Sequence, residues 1–175
     1  MKNILIVVDM QNDFIDGALG TAEAKAIVQP VIDKIKEYDQ KNIWATRDSH
    51  GENYLNTQEG RRLPVKHCIR GTKGWEIADE IAAAMPEAVV IDKPSFGSVE
   101  LADRLAALAD REDIELELIG LCTDICVVSN ALNLKARMPE VPISVDAACC
   151  AGVTPESHRA ALETMRMCQI TVING

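Results

Sequence analysis

The sequence predicts an α/β protein with a central, mainly parallel sheet of six strands flanked by helices. Short runs rich in β-branched residues alternate with longer amphipathic segments, which is typical of βαβ units. Apolar positions in the longer segments recur at the spacing of one helical face. The 175 residues show no internal repeat or linker and are expected to form one domain over residues 1–175. Together these observations predict a three-layer, Rossmann-like sandwich.

Each strand is expected at a short apolar run bounded by polar or turn-forming residues. The segments between the runs are expected to supply the helices of the βαβ units. The predicted strands are, in order, Ile4 to Asp9, Asn42 to Thr46, Ala88 to Asp92, Glu115 to Gly120, Ile143 to Asp146 and Ile170 to Ile173.

Four helices have clear signals. Val28 to Tyr38 has helical periodicity, with Pro30 tolerable only near the first turn. Val99 to Ala109 places its apolar residues on one face. Thr154, which precedes a proline, is typical of a helix start. Thr123 is expected to cap a helix that continues to Leu132.

The segment from Asp48 to Gly74 breaks this rhythm. It has no convincing periodicity, and a structureless loop of that length in a compact domain is usually functional or disordered. Two of the three histidines, His50 and His67, lie in it, which favours function. His158 lies in a predicted helix and is expected at the surface.

Composition excludes several classes of partner. The net charge of −9 and the absence of a basic block argue against nucleic acid. No segment approaches the roughly 20 apolar residues of a membrane span, and no export signal precedes Asp9. We therefore expect a cytoplasmic protein whose six cysteines remain thiols. Four of them are expected to be buried and to pack as small hydrophobic residues: Cys68, Cys149, Cys150 and Cys168.

Three reactive side chains, Asp9, Lys93 and Cys126, each lie just beyond a short β-rich run. A parallel sheet places such residues along one rim, where ligands bind in open α/β folds. Taken singly, each residue also has a non-catalytic interpretation: the aspartate as a cap of a loop, the lysine as a solvated side chain and the cysteine as a buried thiol. Brought together, a carboxylate, an amine and a thiol can form and use a thiolate nucleophile.

The turn around Cys126 strengthens this hypothesis. With Thr123 as the cap, the thiol lies in the first helical turn, where unpaired amides and the helix dipole favour a thiolate. The same position predicts an oxyanion hole formed by the backbone amides of Cys122 and Cys126.

A second group of residues has the chemistry of a metal site. Alternation in an extended segment points Asp48 and His50 the same way, and Glu59 and His67 follow along the chain. Two imidazoles with one or two carboxylates suit Zn²⁺, with Mn²⁺ or Fe²⁺ as alternatives. Since Asp-x-His alone is a weak signal, incidental polar residues of a surface loop remain a second interpretation.

Five motifs follow one another along the chain: Val8-Asp-Met-Gln-Asn-Asp-Phe14, Thr46-Arg-Asp-Ser-His50, His67-Cys-Ile-Arg-Gly-Thr72, the turn at Lys93, and Gly120-Leu-Cys-Thr-Asp-Ile-Cys126. Together they resemble the isochorismatase-like cysteine hydrolases, specifically the nicotinamidase branch. The resemblance implies that Asp9 is the general base, Lys93 assists it and Cys126 attacks an amide carbonyl. The implied reaction converts nicotinamide to nicotinate and ammonia through a thioester, as a step of NAD salvage.

The resemblance also implies a cofactor. Asp48, His50 and His67 would bind one divalent metal that holds the pyridine nitrogen, with Glu59 as a plausible fourth ligand. Members that cleave isochorismate lack the nucleophilic cysteine, and members that act on linear amides lack the metal motif. The presence of both in this chain narrows the expectation to nicotinamidase.

The sequence departs from the nicotinamidase pattern at one position of the pocket for the pyridine ring. Nicotinamidases often stack the pyridine ring between a phenylalanine and a tryptophan three residues before the last metal histidine. Phe14 fits the first position, but Pro64 occupies the second. Leu19, Tyr54 or Phe96 is then expected to supply the other wall.

Three other interpretations remain open at this stage. The chain could be a related amidase for another small amide, or a catalytically idle member that binds metal and ligand. The metal could also serve only to hold the segment from Asp48 to Gly74 in place. Members of the family commonly self-associate, so a homo-oligomer is expected.

Overall fold

A computed structural model describes all 175 residues and has a six-stranded sheet at its centre. Every strand pair is parallel, and the strand order is β3-β2-β1-β4-β5-β6. The predicted fold class is confirmed. The strands are β1 (Lys2–Val8), β2 (Ile43–Asp48), β3 (Val89–Lys93), β4 (Ile114–Leu121), β5 (Ile143–Ala151) and β6 (Thr171–Ile173).

The chain also contains eight α-helices and three shorter helical turns. Gln40–Asn42 and Tyr54–Asn56 are 3₁₀ turns, and Thr123–Val127 is a turn of π-helix. The α-helices are α1 (Asn12–Ile15), α2 (Ala22–Ala26), α3 (Val28–Ile35), α4 (Gln58–Arg62), α5 (Asp79–Ala84), α6 (Val99–Ala109), α7 (Val128–Arg137) and α8 (Pro155–Met167).

Hydrophobic cores cover both faces of the sheet, as an all-parallel sheet requires. Alternate residues of β1 serve the two cores: Ile4 and Ile6 face one, and Leu5 and Val7 face the other. This explains why β1 is apolar without a break. The chain leaves β1 toward β2 on one side and β4 lies on the other, so the strand order reverses there. A crevice for ligands is expected beyond the carboxyl ends of those strands.

Helix starts follow ordinary capping chemistry. Thr154 caps α8 in a reciprocal capping box with Ser157, and Pro155 is the first helical residue. Ser98 caps α6 by accepting a hydrogen bond from the amide of Leu101. The predicted helix from Val28 to Tyr38 ends early, at Ile35.

Four expectations need correction. The segment from Asp48 to Gly74 contains a 3₁₀ turn and α4, so it is not structureless. Thr123 does not cap a helix; its hydroxyl instead lies 2.7 Å from Nδ1 of His158. That contact draws His158 partly into the interior rather than leaving it on the surface. Cys168 is exposed because it lies at the end of α8, beyond the helix's buried face.

No helix combines the length and the apolar character needed to cross a bilayer.

Candidate active site

The carboxyl ends of four neighbouring strands build the candidate site. Asp9 follows β1, Asp48 ends β2, Lys93 ends β3, and the π turn that contains Cys126 follows β4. Strand register pairs Asp48 directly with Lys93. Since β3, β2, β1 and β4 are consecutive in the sheet, all four side chains are brought to one edge.

Asp9 is fully buried where the chain leaves β1. Its φ of 48° lies in the left-handed region, which aspartate tolerates better than most residues. The hydroxyl of Thr46 donates to Oδ1 at 2.6 Å, and Nζ of Lys93 lies 2.7 Å from Oδ2. Burial raises the pKa of Asp9 above its ordinary value, although the ammonium of Lys93 opposes the rise.

Lys93 is buried at the centre of the site. Its Nζ lies 3.3 Å from Sγ of Cys126 and 3.6 Å from Oδ1 of Asp48, and it donates to the carbonyl of Ser95 at 3.0 Å. Burial by itself lowers the pKa of Lys93, but the negative charges of Asp9 and Asp48 raise it above its ordinary value. The lysine therefore stays an ammonium and compensates the surrounding anions.

Cys126 lies in the π turn between β4 and α7 and is almost completely buried. Asn130 holds this turn, because its side-chain amide donates to the carbonyl of Cys126 at 2.8 Å and accepts from the amide of Ser98 at 2.9 Å. Burial, followed by the charge of Asp9, raises the pKa of the thiol well above its ordinary value, while Lys93 opposes the rise. The expected lowering by a helix terminus is therefore wrong, and the thiol needs a base.

The strand before the nucleophile turn passes very close to β1. Gly120 has a φ of 117°, and a Cβ at this position would collide with the carbonyl oxygen of Val8. Only glycine allows this approach. Beyond it, the amides of Ile125 and Val127 both donate to the carbonyl of Cys122, at 3.1 and 3.0 Å. These bonds fold the turn back over the end of β4.

Four side chains converge beside the lysine, and we call them the metal-ligand cluster: Asp48, His50, Glu59 and His67. One donor atom from each lies within 4.8 Å of every other. Nε2 of His50 is 2.9 Å from Oδ2 of Asp48, and Nε2 of His67 is 3.6 Å from the same oxygen. Both imidazole nitrogens lie 3.6 Å from Oε1 of Glu59. Two imidazoles and two carboxylates around one point fit a divalent metal ion.

Neighbouring groups orient the cluster. Nδ1 of His67 lies 2.8 Å from the carbonyl of Val65, so this nitrogen carries the proton and Nε2 faces the cluster. The side chain of Gln11 donates to the carbonyl of Asp48 and accepts from its amide, at 2.8 and 2.7 Å. Although burial opposes it, the imidazoles of His50 and His67 and the positive charge of Lys93 hold the pKa of Asp48 below its ordinary value. The carboxylate is thus ionised, as a metal ligand must be.

A small cavity connects the thiol with the metal-ligand cluster. It is lined by Phe14 and Leu19, the two residues predicted to contact the substrate, together with Leu63, Phe96 and Ile125. The ring of Phe14 lies 5.6 Å from that of His67. Tyr54 does not line this cavity. It is buried against both imidazoles, at 4.8 and 5.0 Å, and its hydroxyl donates to the carbonyl of Leu63.

Three buried supporting residues were not predicted from the sequence. Thr46 donates to Asp9, Gln11 holds the backbone of Asp48, and Asn130 holds the turn of Cys126. Thr46 and Gln11 each belong to one of the five motifs. A polar residue next to an apolar, buried run could have indicated a supporting role for each of them. Asn130 had no such signal, because its position in α7 suits a solvated residue equally well.

Comparison with known proteins decides the family. The isochorismatase domain matches residues 3–175. The chain belongs to the isochorismatase family.

Individual members of the family resemble the chain over nearly all of its length. A nicotinamidase/pyrazinamidase of Mycobacterium tuberculosis is 28% identical, with 97% of each chain covered. A probable inactive nicotinamidase of Arabidopsis thaliana is 30% identical, covering 93% of this chain and 87% of its own. The structure of a pyrazinamidase of Pyrococcus horikoshii in complex with zinc is 28% identical and covers 100% of both chains, with a TM-score of 0.80.

Proposed function

We propose that this isochorismatase-family protein is an amidohydrolase that converts nicotinamide to nicotinate and ammonia. The observation that carries the proposal is one cavity lined by both the thiol of Cys126 and the metal ligands Asp48, Glu59 and His67. An aromatic carboxamide with a ring nitrogen matches such a site, because its electrophilic carbon can react with the thiol and its ring nitrogen can bind the metal. The relatives named nicotinamidase and pyrazinamidase support the same substrate class.

The first half of the reaction forms a thioester. Asp9 removes the proton of the Cys126 thiol, and Lys93, within 3.3 Å of the sulfur, stabilises the thiolate as it forms. The thiolate attacks the carboxamide carbon, and the amides of Cys122 and Cys126 stabilise the oxyanion. Asp9 then returns its proton to the departing nitrogen, so that ammonia leaves and the acyl group stays on sulfur.

The second half releases the acid. Asp9, again a carboxylate, takes a proton from a water molecule that attacks the thioester carbon. The carbon–sulfur bond breaks, nicotinate leaves, and the proton returns through Asp9 to the sulfur of Cys126. The fixed position of Asp9 between Lys93 and Thr46 suits a base that acts twice.

The metal-ligand cluster would hold one divalent ion, and we propose Zn²⁺ because a related pyrazinamidase was solved with zinc. When bound, the ion would act as a Lewis acid toward a pyridine nitrogen and so help to orient the ring. Phe14 and Leu19 would contact the ring faces. We further propose that the reaction serves NAD salvage in the cytoplasm and that the protein is a homo-oligomer.

Ammonia release tests the proposal. The purified protein would be assayed with nicotinamide, pyrazinamide and several linear amides, before and after chelation and after zinc is restored. We expect turnover of both ring amides, its loss on chelation and its recovery with zinc. Chelator-insensitive turnover of linear amides alone would contradict the proposal and favour a related amidase.

A second candidate is a catalytically idle member, which the Arabidopsis relative named probable inactive and the raised pKa of the Cys126 thiol both favour. Alkylation at neutral pH distinguishes the two candidates. In an active enzyme, the base Asp9 and the ammonium of Lys93 make Cys126 react faster with iodoacetamide than the other buried thiols, such as Cys150. Equal rates at all buried cysteines would favour the idle protein.

A further inference from the structure

Two adjoining cavities lie at the carboxyl edge of the sheet. The inner cavity, of about 60 Å³, contains the thiol of Cys126. The outer cavity, of about 650 Å³, opens beyond it between α4 and the segment that follows β3. Four residues line both cavities and so form their boundary: Glu59, Leu63, Phe96 and Ile125.

The inner cavity is too small to enclose an aromatic substrate. An apolar cavity of about 150 Å³ is the size that binds a single benzene molecule. The inner cavity, at about 60 Å³, has less than half of that volume. An aromatic amide whose carboxamide reaches Cys126 must therefore project across the boundary into the outer cavity or displace the boundary side chains.

Three of the four boundary residues are apolar, and two of these are exposed. The side chains of Leu63 and Phe96 are large, yet these residues are 39% and 44% exposed. Pro64, beside Leu63, is exposed and lines neither cavity, so it supplies no aromatic ring to close the opening. Exposed apolar residues grouped at the mouth of a reactive site are typical of a ligand-binding surface.

The geometry of a pyridine ring determines which substituents can use this opening. This step rests on the proposed function, in which the ring nitrogen meets the metal-ligand cluster and the carboxamide on carbon 3 meets Cys126. Carbon 2 lies between those two attachment points and so faces the buried Lys93, whose Nζ is 3.3 Å from Sγ of Cys126 and 3.6 Å from Oδ1 of Asp48. Carbon 5 is diametrically opposite carbon 2, so a substituent there points away from Lys93 and toward the open boundary.

We propose that Leu63 and Phe96 determine specificity by admitting nicotinamides that carry a planar apolar substituent on carbon 5. In the outer cavity such a substituent could pack against the ring of Phe96 and against Pro94 and Ile125, which also line the cavity. Arg62 also lines the outer cavity and forms no ion pair, which leaves its guanidinium free to stack on an aromatic substituent. The substrate class is thus wider than unsubstituted nicotinamide.

The first test uses the metal-loaded wild-type protein and three substrates. We expect kcat/KM for 5-phenylnicotinamide to be within about tenfold of that for nicotinamide, since the added ring enters a cavity that already exists. The isomer 6-phenylnicotinamide has its ring next to the pyridine nitrogen and would collide with the metal ligands. We expect it to be at least about 100-fold poorer than the 5-phenyl isomer. Equal use of both isomers would overturn the proposal.

The second test fills the outer cavity. Gln58 lines it from the start of α4, whereas Arg61 lies on the same helix and lines neither cavity. Gln58→Trp is expected to lower the ratio of kcat/KM for 5-phenylnicotinamide to that for nicotinamide by about tenfold or more. Arg61→Trp, the matched control, should leave that ratio within about twofold. An unchanged ratio in Gln58→Trp would overturn the route through the outer cavity.

The outcomes separate this inference from the function on which it rests. If the wild-type protein hydrolyses nicotinamide but kcat/KM for 5-phenylnicotinamide is lower by more than about tenfold, the inference fails and the proposed function stands. If neither compound is hydrolysed, the proposed function fails and the inference fails with it. Hydrolysis of 5-phenylnicotinamide at a comparable or higher rate supports both.

Discussion

The two halves of the candidate site are held in different ways. Asp9 and Lys93 are buried at the ends of sheet strands, and strand register fixes their positions. His50 and His67 belong to the irregular segment between β2 and α5, which is held by individual contacts such as the bond from the amide of Cys68 to Asp13, at 2.8 Å. We expect changes in the first half to alter the chemical step, and changes in the second half to alter metal affinity and substrate choice.

The largest effect should follow from removing the nucleophile. Cys126→Ala is expected to reduce kcat for nicotinamide by about 10⁴-fold or more, because no other group can form the thioester. Cys150→Ala is the matched control, since it also removes a buried thiol but lies outside the site. Steady-state ammonia release measures both variants. Appreciable turnover by Cys126→Ala would exclude the covalent mechanism.

Removing the base should have the next largest effect. Asp9→Asn is expected to lower kcat by about 10²- to 10⁴-fold, the usual range for a general base. It also breaks the buried pair with Lys93, so a loss of about 3–5 kcal/mol in unfolding free energy is expected. Denaturant unfolding and single-turnover kinetics measure the two effects. Thr46→Val removes only the hydrogen bond to Asp9 and should have a much smaller effect on kcat.

The metal half should respond differently. Gln11→Leu removes two hydrogen bonds between one side chain and the backbone of Asp48, and it is expected to weaken zinc binding by about 10- to 100-fold. Calorimetric titration of the metal-free protein with zinc measures this change. Saturating zinc should restore most of kcat if the two halves are independent. A permanent loss of kcat at full metal loading would show that Gln11 also supports the catalytic half.

The pH dependence of kcat/KM should report the catalytic half. Asp9 must be ionised to accept the thiol proton, and burial raises its pKa above the ordinary value of 3.8. Activity should therefore fall as the pH is lowered through that raised pKa, with an acid limb centred above pH 3.8. The pH profile should be measured at saturating zinc, so that loss of the metal at low pH does not contribute to the fall in activity. An acid limb centred at or below the ordinary value would contradict this assignment.

The smallest effect is expected at Tyr54, which packs against the two imidazoles of the metal half. Tyr54→Phe removes the hydrogen bond to the carbonyl of Leu63 and should lower the free energy of unfolding by about 0.5–1.5 kcal/mol. The ring stays packed against His50 and His67, so zinc affinity should stay within about twofold. Thermal unfolding and zinc titration check the two parts. A large loss of zinc affinity would show that the hydroxyl helps to position the ligands.

Local sequence patterns were sufficient to predict features that depend on a single strand or helix. The apolar run before Asp9 predicts a buried strand, and the side chain after it must emerge at the carboxyl edge. Thr154 and the proline after it predict the start of α8 for an equally local reason. The metal ligands were predicted mainly from the resemblance of their motifs to a known family, because Asp-x-His alone has little specificity.

Other features depended on contacts between distant parts of the chain. The thiol of Cys126 was expected to have a lowered pKa from its position in a helical turn, but packing buries it and raises the pKa instead. The partner of Thr123 proved to be His158, which is 35 residues away. Long-range pairing of this kind leaves no periodic signal in the sequence.

The sequence by itself determined the class of fold, the order of the strands along the chain and the reactive residues at their ends. These follow from hydrophobic periodicity and from the parallel direction of the strands. Only the tertiary structure decided the spatial order of the strands, the convergence of the metal-ligand cluster and the open boundary at Leu63 and Phe96. The physical reason is that cavities, burial and charge compensation depend on which distant segments pack together, and local periodicity does not specify that packing.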